Sequence, residues 1–452
     1  MASKSIFVCQ NCGYESIQWL GKCPTCKEFT TFSEEIILAK DKNIFSKSVK
    51  KDMRPSLIND IKSPEYKKIP THDNELNRVL DEGVVPGSII LLAGDPGIGK
   101  STLLLQLAIH GLIKTLYISG EESVNQIKLR ADRIGVQNTN CFILNETLLE
   151  NIFSYLIAQK NDHQIIIIDS IQTLYSNQLG APIGSISQIR ECCSRLLQFA
   201  KDSNITIIII GHITKDGQIA GPKILEHMVD VVLHFEGDKN FQYRILRSKK
   251  NRFGSIAEIG LYEMQAKGLF SVKTPSKILL SENYKNLDGC SISCVMDGDR
   301  FFLVEVQALA STAVYSTPQR TANGFNLKRL NMLLAVLEKK CGFKLGKKDV
   351  FLNIIGGIKV TDPALDLSVV ASILSSSIDL PVLKNSCFIG EVGLNGEVRP
   401  ERTIEKRIAE VEKMGFKNVF ISSINKLSSS QKDIKIIKVS TINDLKKNLF
   451  ES

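Results

Sequence analysis

The segment Gly94-Asp95-Pro96-Gly97-Ile98-Gly99-Lys100-Ser101 fits G-x-x-x-x-G-K-[ST], the pattern of a loop that cradles a polyphosphate. Its glycines let the backbone turn tightly, so that N–H groups converge on phosphate oxygens. Lys100 is expected at the β- and γ-phosphates of ATP, and the Ser101 hydroxyl on Mg²⁺. Thr102 follows in a helix whose N-terminus adds partial positive charge. A second acid should complete the metal site. The apolar run Ile165-Ile166-Ile167-Ile168 ends in Asp169, and ligands of open parallel sheets gather at the carboxyl ends of strands. Asp169 is therefore expected as the Walker B acid, holding Mg²⁺ with Ser101. Hydrolysis also needs a group that orients water. Glu121 and Glu122 follow the apolar run 115–119, where a carboxylate can polarise an attacking water or favour the first turn of a helix. Glu121 is assigned as catalytic, with the choice between the two glutamates left open. His212 closes a further run, 205–211. A polar residue there can sense the γ-phosphate, or it is a structural histidine before a solvated turn at Asp216-Gly217.

Cys9, Cys12, Cys23 and Cys26 form two Cys-x-x-Cys pairs ten residues apart. Two such knuckles can place four thiolates tetrahedrally around Zn²⁺ with no position open for water, so the site is expected to be structural. A unit of 32 residues holding the chain's one tryptophan, Trp19, buries little core and leans on the metal. The other seven of eleven cysteines are scattered, as free buried thiols are in a reducing compartment.

Between Lys239 and Gly254 there are six basic residues (Lys239, Arg244, Arg247, Lys249, Lys250 and Arg252) and no acid. A stretch without counter-charge is a candidate for phosphate contact, either on DNA or on a neighbour's nucleotide, and equally a solvated basic hairpin. The formal net charge of +9 leans only weakly toward polyanionic partners.

These residues need a scaffold. From about 61 to 275, β-branched runs at 88–93, 115–119, 164–169, 205–211 and 229–235 alternate with helix-period segments such as 102–112 and 186–200. Strands this apolar belong to a parallel sheet covered on both faces, an α/β doubly wound pattern. Residues 1–32 form the four-cysteine finger, and 33–60 read as a linker. A second α/β unit runs over 280–452, with strands near 301–306, 350–355 and 418–421 and helices near 328–340, 365–377 and 403–414. No apolar run approaches the roughly 18 residues that cross a bilayer, and the N-terminus lacks a secretory signal, so a cytoplasmic protein is expected.

Lys250-Asn251-Arg252-Phe253-Gly254 spells KNRFG, and with the finger, the phosphate loop and the C-terminal unit it resembles the bacterial RadA (Sms) family over essentially the whole chain. The resemblance implies a RecA-like P-loop ATPase core, with a zinc ribbon before it and a Lon-protease-like domain after it, clearest over 349–452. It implies a DNA-dependent ATPase of repair and recombination that forms hexameric rings. Such a protein binds single-stranded and branched DNA and drives branch migration alongside a RecA-type recombinase. In the family, the lysine and arginine of KNRFG serve ATP use and DNA binding, here Lys250 and Arg252. Glu121 resembles the RecA-type catalytic glutamate. The Lon-like part departs from a peptidase. Asp362-Pro363-Ala364-Leu365-Asp366 has no serine in the nucleophile turn, the dyad lysine falls on Glu405, and Ser368 and Lys406 lie outside the required motif. A nucleotide-gated regulatory ATPase acting on protein partners is the alternative function.

Overall fold

The computed structural model describes residues 4–10, 13–37, 57, 67–136, 140–159, 162–212, 224–237, 243–272, 276, 280, 287–313, 317–427 and 433–450. Cys12, Lys239, the turn at Asp216-Gly217 and most of the 33–60 linker lie outside them. The chain divides into two compact units, one of Met1–Lys239 and Arg244–Ser271 and one of Asn240–Tyr243 and Val272–Ser452.

The N-terminal ribbon is an antiparallel sheet of β1 (Lys4–Cys9), β2 (Glu15–Ser16) and β3 (Phe32–Ile37), in the order β2-β1-β3. β3 pairs along all of β1, from Cys9↔Phe32 to Lys4↔Ile37. The finger thus continues to 37, past the boundary at 32 read from the cysteines, because β1 needs a partner strand.

The core of this unit contains α1 (Asn74–Val79), β4 (Ile89–Gly94), α2 (Lys100–His110), β5 (Thr115–Ser119), α3 (Val124–Ile134), β6 (Cys141–Asn145) and α4 (Leu149–Ala158). It continues with β7 (Ile165–Asp169), α5 (Ile186–Ser203), β8 (Thr206–His212), α6 (Ile224–Met228), β9 (Val231–Glu236), β10 (Tyr243–Asn251), β11 (Ile259–Gln265) and β12 (Gly268–Ser271). Together the strands make one nine-stranded sheet, ordered β12-β11-β10-β9-β4-β8-β7-β5-β6. The six strands from β9 to β6 run parallel, and β10 turns back antiparallel to β9. Alternate side chains divide the sheet into two buried faces. Ile90, Leu92, Tyr117, Ile165, Ile167, Ile208 and Ile210 pack beneath α2. Leu91, Leu116, Ile166, Ile168, Ile207 and Ile209 pack against α4 and α5. Burial on both faces explains why these strands read as unbroken apolar runs. Each such side chain contributes about 1.5–3 kcal/mol relative to exposure. Among the described residues no helix is long and apolar enough to cross a membrane.

The second unit holds a sheet of β13 (Cys290–Asp297), β14 (Arg300–Thr312), β15 (Arg320–Asn323) and β16 (Lys348–Ile354), in the order β13-β14-β16-β15, with α7 (Leu327–Cys341) between β15 and β16 in sequence. After β16 come α8 (Asp366–Ile378), β17 (Ser386–Phe388), β18 (Glu391–Val392), β19 (Val398–Arg399), α9 (Ile404–Lys413), β20 (Asn418–Ser422), β21 (Lys435–Val439) and α10 (Ile442–Asn448). β17, β20 and β21 form a parallel sheet. Helix α8 is buried at eleven of its thirteen positions; the Ser372 hydroxyl donates locally to the Val369 carbonyl, while Ser368, Ser375 and Ser376 also bond to Ser291, Gly289 and Ala310 of the neighbouring strands and turn.

Arg407 on α9 is the largest fully buried side chain among the described residues and is 1% exposed. Its Nη1 donates to the Cys294 carbonyl at 2.6 Å and to Asp362 at 2.7 Å. Truncating one partner of such a pair strands the other charge without compensation. Arg407→Ala is expected to destabilise the second unit by about 3–5 kcal/mol. The measurement is a urea melt, and an unmoved midpoint would show that the pair contributes nothing.

Candidate functional site

β4 ends at Gly94, and α2 begins at Lys100 with Gly99 as its N-cap. Between them Asp95, Pro96 and Gly97 are exposed while Ile98 is anchored in the core. Gly99 has φ +115°, a conformation other residues avoid, and a Cβ there would come within 2.6 Å of the Met264 side chain. Lys100 is 3% exposed, and its Nζ donates to the Gly94 carbonyl at 2.7 Å and the Asp95 carbonyl at 2.9 Å. The ammonium is thereby held inside the curve of the loop. Ser101 and Thr102 are half-buried in the first turn of α2. This is a concave backbone with a buried cation at a helix N-terminus, which suits a polyphosphate.

The acids come from adjacent strands. Ser119 of β5 pairs with Asp169 of β7, and Gly94 of β4 pairs with His212 of β8, so the ends of all four strands form one row. Asp169 shares the sheet face of Tyr117 and Ile167, the face covered by α2. It is 4% exposed, and its Oδ2 accepts a 2.6 Å hydrogen bond from the Tyr117 hydroxyl. Burial, and then Asp169 itself, raise the Tyr117 phenol well above its ordinary range and keep it a neutral donor. Asp169 Oδ1 is buried with no hydrogen-bond partner among the described residues. An orphaned carboxylate oxygen beside a phosphate loop fits a metal-bound water or a Mg²⁺ ion. The Asp169–Ser170 peptide is cis.

The two glutamates separate. The exposed Glu121 accepts from the buried Ser170 hydroxyl at 2.5 Å, which ties it to the residue after Asp169. Glu122 is paired with Arg130 of α3. Geometry therefore brings Glu121, Asp169 and the loop 94–101 together and turns Glu122 toward a helix. Sequence reasoning missed Tyr117 and Ser170. The one polar-tipped ring in the apolar run Thr115-Leu116-Tyr117-Ile118 was the available signal.

The basic segment is not free of counter-charge. β9 supplies Glu236, which pairs with Arg247 at 2.8 Å and Lys249 at 3.6 Å, and the residue preceding β9, Asp230, pairs with Arg252 at 3.0 Å. Arg244 is buried, with Nε 3.3 Å from the Ile98 carbonyl of the phosphate loop. Lys250 donates to the carbonyls of Glu226, His227 and Val229 at 2.7–3.1 Å, at the C-terminal end of α6. Desolvation, and then Arg252, lower its ammonium below the ordinary lysine range. Asn251 accepts from the Phe253 N–H, Phe253 packs on the core, and a Cβ on Gly254 would meet the Asp81 side chain at 2.5 Å, so Gly254 is a close-approach glycine and not a flexible joint. Lys250 pairs with Val232 and Asn251 with Val231, at the amino ends of the parallel strands. Through Val232, Lys250 lies level with Leu91 of β4, three residue steps or about 10 Å short of Gly94 along that strand and two strands away from it, and its ammonium turns to the α6 carbonyls. The structure thus does not bring Lys250 into the nucleotide site of its own chain.

In the second unit Asp362 caps the turn 363–365. Ser368 is fully buried, with Oγ 2.7 Å from Ser291 Oγ, while Lys406 is exposed and Glu405 half-buried. Ser368 and Lys406 do not form a nucleophile–base pair.

In the ribbon, the sulfurs of Cys9, Cys23 and Cys26 all lie within 4.8 Å of one another, and Cys9 and Cys23 are buried. Each knuckle is closed by backbone bonds, Gly13 N–H to Cys9 O at 2.8 Å and Lys27 N–H to Cys23 O at 2.9 Å. Three converging sulfurs without a disulfide fit a thiolate metal centre, with Cys12 outside the described residues. Cys23→Ser is expected to remove about one zinc per chain and to loosen the ribbon. Metal analysis of the purified variant checks this, and an undiminished zinc content would contradict the ligand set.

Residues 65–218 match the AAA domain family model, residues 7–34 the rubredoxin metal binding domain, and residues 307–425 the subunit ChlI of Mg-chelatase. The chain is 48% identical to the DNA repair protein RadA of Bacillus subtilis over 94% of its own length and 93% of that protein. It is 45% identical to the DNA repair protein RadA of Listeria monocytogenes over 98% of both. Among solved structures, a KaiC-like protein from Pyrococcus horikoshii aligns at 17% identity with a TM-score of 0.37, over 46% of this chain and 99% of that one. With a P-loop ATPase core, a cysteine ribbon and close to half of its residues shared with these relatives along nearly its full length, the chain belongs to the RadA family of DNA repair proteins.

Proposed function

We propose that this protein is a DNA-dependent ATPase that moves along single-stranded and branched DNA and promotes branch migration beside a RecA-type recombinase. The observation that carries the reading is the row formed by Lys100, Asp169 and Glu121 at the carboxyl edge of one sheet. Lys100, with the loop N–H groups, binds the triphosphate. Ser101 and Asp169 would hold Mg²⁺, which would supply charge neutralisation to the triphosphate. Glu121, anchored by Ser170, orients the attacking water, and Glu122 supports α3 through Arg130. The relatives' role in DNA repair supports DNA as the polymer. In this chain Lys250 is engaged with the α6 carbonyls and Arg252 with Asp230, and not with the phosphate loop. Their service to ATP use therefore comes from a neighbouring subunit or through α6, in keeping with a hexameric ring. The Lon-like unit is a scaffold and not a peptidase.

Lys100→Ala is expected to abolish turnover. Glu121→Gln is expected to keep ATP binding while hydrolysis falls by about 10²–10⁴-fold, the usual worth of a positioned acid–base group. Glu122→Gln stays within a few-fold of wild type. Steady-state ATPase assays with and without single-stranded DNA decide this. Equal losses in the two glutamine variants would reject the choice of Glu121, and no stimulation by DNA would favour a regulatory ATPase acting on protein.

Lys250→Ala is expected to leave nucleotide affinity unchanged and to stop branch migration. Unaltered migration of a synthetic four-way junction would remove the motif from the motor.

A further inference from the structure

Tyr117 lies two residues before the end of β5, 52 positions from the carboxylate it touches. Its ring is 1% exposed, opposite Ile167 of β7, and belongs to the apolar cluster beneath α2. A buried hydroxyl is costly unless bonded, and the bond Tyr117 makes is to Asp169 Oδ2 at 2.6 Å. The other oxygen, Oδ1, is buried and has no partner among the described residues. The two oxygens of one carboxylate are therefore treated differently, one occupied and one bare.

We propose that Tyr117 is a positioning residue for the metal-dependent step: its hydroxyl fixes the Asp169 carboxylate and leaves Oδ1 as the single oxygen offered to the metal. This rests on the nucleotide site described above. Mg²⁺ keeps a tight octahedral shell and takes one oxygen from a carboxylate, whereas Ca²⁺ accepts both oxygens of a carboxylate in a looser shell. A carboxylate pinned through Oδ2 suits the first ion and resists the second. Without the hydroxyl, Asp169 is free to turn and to chelate.

Tyr117→Phe removes one oxygen atom and keeps the ring. The readout is the affinity of a fluorescent, non-hydrolysable ATP analogue, titrated without metal, with Mg²⁺ and with Ca²⁺. Metal-free affinity is expected to be the same in wild type and Y117F. The half-saturating Mg²⁺ concentration is expected to rise about tenfold in Y117F, the scale of one hydrogen bond to a charged group, and the preference for Mg²⁺ over Ca²⁺ to narrow. An unchanged Mg²⁺ midpoint together with an unchanged preference overturns the proposal and leaves the nucleotide site standing. If wild type itself gains no affinity from Mg²⁺ and Lys100→Ala binds the analogue equally well, the nucleotide reading fails and the proposal with it. Should Y117F not fold, wild-type protein carrying 3-fluorotyrosine serves instead. One buried ¹⁹F resonance must then shift with Mg²⁺ plus analogue and not with analogue alone, and its absence overturns the proposal.

Discussion

The pairing of β5 with β7, with Ser119 opposite Asp169, is the constraint on which the site depends. A one-residue slip of β7 would turn Asp169 to the α4–α5 face, away from the phosphate loop, and a slip of β5 would do the same to Tyr117. The register is held by packing. Ile165 and Ile167 lie in one buried cluster and Ile166 and Ile168 in the other, so a slipped strand would have to exchange every contact it makes. The same packing carries β8 between β7 and β4 and sets the distance between the acid and the loop. The chemistry is done by a few polar groups at the strand ends, and their placement is decided by isoleucines that touch no substrate.

Whatever depended on local pattern was legible in the sequence. The phosphate loop, the strand-terminal acid and the two cysteine pairs each lie within a few residues and announce themselves by type and spacing. What depended on strands meeting across the sheet was not. The bond from Tyr117 to Asp169 joins residues in different strands. The basic run after 239 contains no acid, yet Glu236 and Asp230, in β9 and just before it, neutralise Arg247, Lys249 and Arg252 once β10 folds back antiparallel. Charge counted along the chain misjudged charge in space. Likewise the ribbon runs past its last cysteine because β3 pairs with β1, a long-range contact that cysteine spacing does not report. The choice between Glu121 and Glu122, open in the sequence, is narrowed by Ser170 and Arg130, which draw the two side chains apart.

The placement of KNRFG changes how coupling within this fold has to be framed. Lys250 and Arg252 stand toward the amino edge of the sheet and the phosphate loop at the carboxyl edge. Two elements span the gap. β9 begins just after Asp230, the partner of Arg252, and includes Phe235, whose neighbour in register is Gly94 of the phosphate loop. β10 runs from Arg244, which donates to the loop carbonyl of Ile98, to Lys250, which holds the end of α6. Both are stiff, hydrogen-bonded strands. A displacement of the loop on nucleotide binding or release would therefore pull on the same two rods that carry the motif, and with it the end of α6. The bulge between Ser248 and Lys250 is the one irregularity in this pairing. It lies next to the lysine, where a strand can bend without breaking the rest of its ladder. A displacement at one edge thus has a mechanical route to the other through the strands themselves, with no side chain spanning the distance.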